Sequence, residues 1–164
     1  MLTLTAPSYP KELILGGQAE PKQSVYEQSA TQRHELGALL WYPHDGRKFR
    51  YAKNGGVALS KAYMTQSPAG VANCQEEIQT TSGASAAIGD QEITVDVTNA
   101  SGITENLYAG GWMVVNKATG IGDCYKVLAC KLLTTATARL LLESPIRTAL
   151  AADTEITLVL NKWN

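Results

Sequence analysis

One uninterrupted run, Glu92-Ile93-Thr94-Val95-Asp96-Val97-Thr98, alternates strictly between polar and β-branched aliphatic residues. Successive side chains of a strand point to opposite faces, so this run reads as a strand with Ile93, Val95 and Val97 inward and Thr94, Asp96 and Thr98 outward. Such alternation belongs to a sheet that is wet on one side. Asn99-Ala100-Ser101-Gly102 ends it.

The signals on either side are of the same kind. Trp112-Met113-Val114-Val115 is a short apolar run read as a strand buried on both faces, with Trp112 in the core. Asn116 to Asp123 is turn-rich. Cys124 to Lys131 reads as a strand with Tyr125, Val127 and Ala129 opposite Cys124, Leu128 and Cys130. Ala138 to Leu142 and Glu155 to Leu160 complete the set, with Ile156, Leu158 and Leu160 sharing a face. Upstream, Arg47 to Tyr51 places Phe49 and Tyr51 on one face and Lys48 and Arg50 on the other, after a turn at Pro43-His44-Asp45-Gly46. Asn54-Gly55-Gly56 then marks a hairpin leading into Val57–Lys61, with Gly55 at a turn position that favours positive φ. The polar stretch from Thr65 to Asp90 is expected to form a long loop or an irregular edge.

No amphipathic run of helical length interrupts these strands. The fold class is therefore all-β, a compact β-sandwich or barrel with little helix. Residues 33–164 form the expected β-domain and residues 1–32 an extended, irregular N-terminal arm. Pro7, Pro10, Pro21 and Gly16-Gly17 break up the arm, while Tyr9, Leu13, Ile14, Leu15 and Tyr26 give it adhesive side chains. It either packs on its own domain or reaches a neighbouring subunit.

Composition narrows the function. With 14 basic against 15 acidic side chains and a net charge of −1, the chain lacks the basic excess that phosphate neutralisation requires, so no nucleic-acid partner is expected. A hydrophobic content of 45% excludes a disordered chain. The charged fraction, 18%, is below the roughly one quarter typical of soluble domains, which suggests that a partner covers part of the surface. No stretch approaches the roughly 20 apolar residues of a membrane span, so no membrane partner is expected. Met1 to Thr5 has neither the basic region nor the apolar core of a signal peptide. Synthesis in a reducing cytoplasm follows as an expectation, with Cys74, Cys124 and Cys130 free. On one strand, Cys124 and Cys130 would share a face about 20 Å apart, too far for a disulfide.

Catalytic signatures are missing. Gly120-Ile121-Gly122-Asp123 lacks the following helix of a nucleotide loop and reads as a hairpin turn. The histidines His34 and His44 are few for acid–base or metal work, and nothing near Cys74 in sequence activates its thiol. Glu76 and Glu77 sit in a polar loop, as solvated acids do. The chain is thus expected to be no enzyme and to carry no catalytic residues, cofactor or metal. Arg33, Arg47, Lys48, Arg50, Lys53 and Lys61 make residues 33–61 locally basic, either as the wet face of a hairpin or as a patch for an acidic surface or glycan. Tyrosine and tryptophan favour interfaces, because one end is apolar and the other tolerates water. The candidate partner interface therefore comprises Tyr9, Leu13, Ile14, Leu15, Tyr26, Trp41 and Tyr42.

The segment from Asp45-Gly46-Arg47-Lys48-Phe49-Arg50-Tyr51-Ala52-Lys53-Asn54-Gly55-Gly56 to Leu59 resembles small virion structural proteins of tailed bacteriophages. Tyr108-Ala109-Gly110-Gly111-Trp112, Gly120 to Val127, Leu141 to Leu150 and Ile156 to Asn161 share the likeness, which covers roughly residues 33–164. The resemblance implies a capsid decoration or cement protein that binds the outside of the head lattice, with the major capsid protein as partner and a homotrimer as its assembly. It implies a location on the virion surface after synthesis in the host cytoplasm. Two other classes fit the residues: a tail, fibre or glycan-adhesion module, and a small β-barrel enzyme built on Cys74, His34 or His44.

Overall fold

The computed structural model describes residues 23, 25–42, 45–60, 64, 66, 69, 78–80, 86–97, 103–134 and 136–164. Most of the N-terminal arm, including Tyr9 and Leu13 to Leu15, lies outside them, as do His44, Lys61, Cys74, Glu76 and Glu77. Among the described residues every regular element is a strand, so the fold is all-β. The strands are β1 (Leu39–Trp41), β2 (Lys48–Arg50), β3 (Ile78–Thr80), β4 (Glu92–Asp96), β5 (Trp112–Lys117), β6 (Cys124–Leu132), β7 (Thr137–Leu142) and β8 (Glu155–Val159). The chain divides into two compact units, one holding β1 and β2 together with Lys162–Asn164 and the other holding β3 to β8.

In the larger unit all pairings are antiparallel and follow the order β3-β4-β7-β6-β5-β8, with β8 pairing in turn with β3. Period-2 patterning decides what faces inward. Ile93 and Val95 of β4, Met113 and Val115 of β5, Leu140 and Leu142 of β7, and Ile156 and Leu158 of β8 are all buried in one core. Val97, just past β4, joins them. Ile146 and Leu150 enter the core from the β7–β8 connection, and Leu150 donates its N–H to Ala86 O at 2.9 Å.

The expectation for Trp112 to Val115 needs correction. The run alternates, with Met113 and Val115 buried, Val114 partly exposed and Trp112 46% exposed. Trp112 is a surface residue because it stands out of phase with the two inward side chains.

The reading of Cys124 and Cys130 as same-face residues is also corrected. Register shifts between Val127 and Ala129, and the resulting irregularity turns both Ala129 and Cys130 inward. Cys130 is buried while Cys124 is exposed, and both are free thiols. The turn before β5 docks on this irregularity: Asn106 donates its N–H to Cys130 O at 2.7 Å, and Tyr108 donates its N–H to Cys130 Sγ at 3.3 Å. The same turn ends at Gly111, where a Cβ would collide with the Val159 carbonyl oxygen and approach Tyr108 O to 3.0 Å.

Gly120-Ile121-Gly122-Asp123 is the β5–β6 hairpin turn that its composition suggests. Val115 donates its N–H to Asp123 O at 2.9 Å and Gly122 donates to Val115 O at 3.0 Å. Gly120 adopts φ +86°, which any other residue would resist.

In the smaller unit, β1 and β2 form an antiparallel ribbon in the register Leu40↔Phe49 and Trp41↔Lys48. This relocates the expected hairpin. The strand around Phe49 pairs backward with β1, and Val57 and Leu59 lie outside any strand at 81% and 62% exposure. Gly55 has no positive φ, whereas Gly46 adopts +72°. The forward signal at Asn54-Gly55-Gly56 lost to a turn in which an Asp side chain supplies the caps. Gly37, at φ +91°, leaves room for the Trp163 indole, whose Cδ1 would sit 2.7 Å from an added Cβ. Lys53 donates its N–H to Trp163 O at 2.8 Å.

Candidate interaction surface

The ribbon turn is built by Asp45. Its Oδ1 accepts the Arg47 N–H at 3.0 Å and its Oδ2 accepts Arg47 Nε at 2.5 Å. Such an Asx turn is what Asp-Gly-Arg offers, because the short carboxylate reaches the amide two residues on while Gly46 supplies positive φ. Tyr42 donates its N–H to Arg47 O and Gly46 donates to Tyr42 O, each at 2.9 Å, closing the loop. The Arg47 amide, and then its guanidinium, hold the Asp45 carboxyl below its ordinary pKa.

Arg47 organises the aromatic residues. Its guanidinium carbon lies 5.6 Å from the Tyr42 ring centroid and 5.8 Å from that of Phe49, within cation–π range. Tyr42 and Phe49 meet edge to face, with centroids 5.8 Å apart and planes at 87°. Asp45 raises the pKa of the same guanidinium, and the Tyr26 side chain adds to the effect. Tyr26 is otherwise 83% exposed.

Of the predicted contact residues, Tyr26 and Tyr42 are thus gathered on one arginine, while Trp41 is not. Adjacent strand residues point to opposite faces, so Trp41 shares the other face of the ribbon with its partner Lys48 and with Arg50. Trp41 is 38% exposed, and Lys48 and Arg50 are exposed beside it. The locally basic segment is therefore partly self-neutralised. Arg47 pairs with Asp45 and Arg33 Nη1 reaches Glu27 at 2.9 Å, whereas Arg50 Nη1 donates to the neutral Gly37 carbonyl at 2.7 Å and keeps its charge.

Sequence reasoning missed Phe49 and Arg47 as members of the aromatic cluster. The Asp-Gly-Arg spacing was the available signal, since it predicts the turn that folds Arg47 back over β1.

His34 packs its ring edge-on to Tyr51 at 5.2 Å, and Tyr51 in turn accepts the Arg33 N–H at 3.1 Å. Among the described residues no group of three or more His, Cys, Asp or Glu side chains converges as a metal site would. No family model matches the chain, and neither a curated protein nor a solved structure matches it.

Proposed function

We propose that this chain is a non-enzymatic capsid decoration protein, bound to the major capsid protein on the outside of a bacteriophage head. The carrying observation is the two-faced β1–β2 ribbon, on which Trp41 stands exposed beside Lys48 and Arg50 while Arg47 fixes Tyr42 and Phe49 behind it. A short ribbon with pre-set aromatic side chains loses little conformational entropy on docking, so even a small contact binds usefully. The resemblance of residues 33–164 to virion structural proteins supports the same reading. Many copies, each weakly bound, would bridge neighbouring capsid subunits and favour the lattice state whose spacing they fit.

The test is a binding titration of the purified chain on heads of the encoding phage, before and after expansion, counted copy for copy against the major capsid protein. Saturation at a stoichiometry comparable with that protein, on expanded heads, is expected. Trp41→Ala combined with Lys48→Glu should weaken it at least tenfold. A handful of copies per particle would favour a tail or fibre module, and no binding would discard the virion reading.

A further inference from the structure

Asn54-Gly55-Gly56 is the turn signal that the ribbon does not use. The strand before it pairs with β1, and Asn54, Gly55 and Gly56 lie exposed outside any strand. What remains to the motif is its chemistry. Asn54 is the one asparagine of the chain followed by glycine, and Asp45 is the one aspartate. At such a pair the glycine nitrogen can attack Cγ of the preceding side chain and close a succinimide ring, since glycine has no side chain to obstruct the approach and adopts the required backbone angles freely.

The fold treats the two pairs differently. At Asp45-Gly46 the attacking nitrogen is engaged, because Gly46 donates its N–H to Tyr42 O at 2.9 Å. The carboxylate is engaged as well, with Oδ1 on the Arg47 N–H and Oδ2 on Arg47 Nε. At Asn54-Gly55 the Gly55 N–H donates to none of the described residues, and nothing lies within 4 Å of where a Gly55 Cβ would stand. Asn54 Nδ2 donates to Val57 O at 2.8 Å, a bond that holds the nitrogen that leaves and not the carbon that is attacked.

From this contrast we infer that Asn54 is a site of spontaneous deamidation, a self-modification of the ribbon's unit. The Gly55 nitrogen bonds to Asn54 Cγ as the Cγ–Nδ2 bond breaks, and Nδ2 leaves as ammonia with the proton given up by the Gly55 amide. Water then opens the succinimide at either carbonyl, giving aspartate or isoaspartate. One negative charge is added, taking the net charge from −1 to −2 and placing a carboxylate next to Lys53 in the locally basic segment. A carboxylate has no N–H, so the bond to Val57 O is lost and the 54–57 loop is released.

The experiment incubates the full chain at neutral and at mildly alkaline pH, folded and in urea, and reads each asparagine and Asp45 by peptide mass spectrometry and isoaspartate methylation. In the folded chain residue 54 is expected to convert at least about tenfold faster than any other asparagine, and faster still as pH rises, because the attacking nitrogen must lose its proton. Urea should speed isomerisation at Asp45 at least about tenfold, by undoing the turn that protects it, yet change the rate at Asn54 less than about threefold. Gly55→Ala, for which there is open space, should slow the conversion at least about tenfold, and Asn54→Gln should abolish it. Equal conversion across the asparagines, an Asn54 that reacts in urea but not in the folded chain, or a rate indifferent to Gly55→Ala would overturn the inference. The chemistry concerns the free chain, so failure here leaves the decoration reading to its own titration.

Discussion

The hydroxyl of Tyr125, whose ring is buried on the inner face of β6, accepts the backbone N–H of Arg147 at 3.1 Å. The same hydroxyl donates to Asp123 Oδ2 at 2.9 Å, and the Arg147 guanidinium closes the group by lying 5.4 Å over the ring and 3.5 Å from Asp123 Oδ1. One phenol thus ties the β5–β6 turn to the β7–β8 connection.

Tyr125→Phe keeps the ring and deletes both bonds. A loss of about 1–2 kcal/mol in unfolding free energy is expected, because the Arg147 amide is then left without its acceptor. Urea denaturation reads it, and a midpoint unchanged from wild type would show that water replaces the hydroxyl at no cost.

Two glycines should respond in opposite ways. Gly111→Ala drives a Cβ into backbone atoms of Val159 and Tyr108 and should cost about 3 kcal/mol or more, since backbone cannot step aside as a flexible side chain can. Gly55 has open space around it and no positive φ, so Gly55→Ala should be neutral or stabilising by up to about 1 kcal/mol. Thermal melts of the pair decide the matter.

Removing a core side chain gives the reference scale. Leu140, fully buried on β7 between β4 and β6, should cost about 2–5 kcal/mol as Leu140→Ala, through lost burial and the cavity left behind. Chemical denaturation of the variant tests it.

Acid should loosen the ribbon turn. The Asp45 carboxyl has a lowered pKa in the fold, so its contribution is present above the ordinary value near 3.9 and is lost as pH falls through the lower folded value. The Tyr42 and Phe49 ring resonances should therefore shift below about pH 4 in wild type, and this transition should vanish in Asp45→Asn. An identical titration in both proteins would assign the change to other carboxylates.

Much of the larger unit is legible in the sequence because its strands alternate cleanly. Ile93, Val95 and Val97, or Ile156 and Leu158, need only a period of 2 to be placed in the core. Cys130 escapes that rule because the irregularity after Val127 changes phase inside the strand, and no single-residue pattern announces it. Trp112 was misplaced for a different reason. Hydrophobicity alone favours burial, and the phase set by Met113 and Val115 outweighs it. The partner of β2 was ambiguous because turn signals flank it on both sides, and the choice rests on the Asp45 carboxylate. The exposed pair Trp112 and Val159 is not legible, since it needs the pairing of β5 with β8 to bring distant residues onto one face.

The bond from Lys53 to Trp163 has a temporal meaning. Everything from Ala69 to Asn161 belongs to the other unit and is made between donor and acceptor. While the ribosome is still translating that stretch, the Lys53 amide has no Trp163 carbonyl to meet, and the space beside Gly37 has no indole to fill it. The ribbon's unit therefore cannot close on itself until that whole intervening stretch has been made.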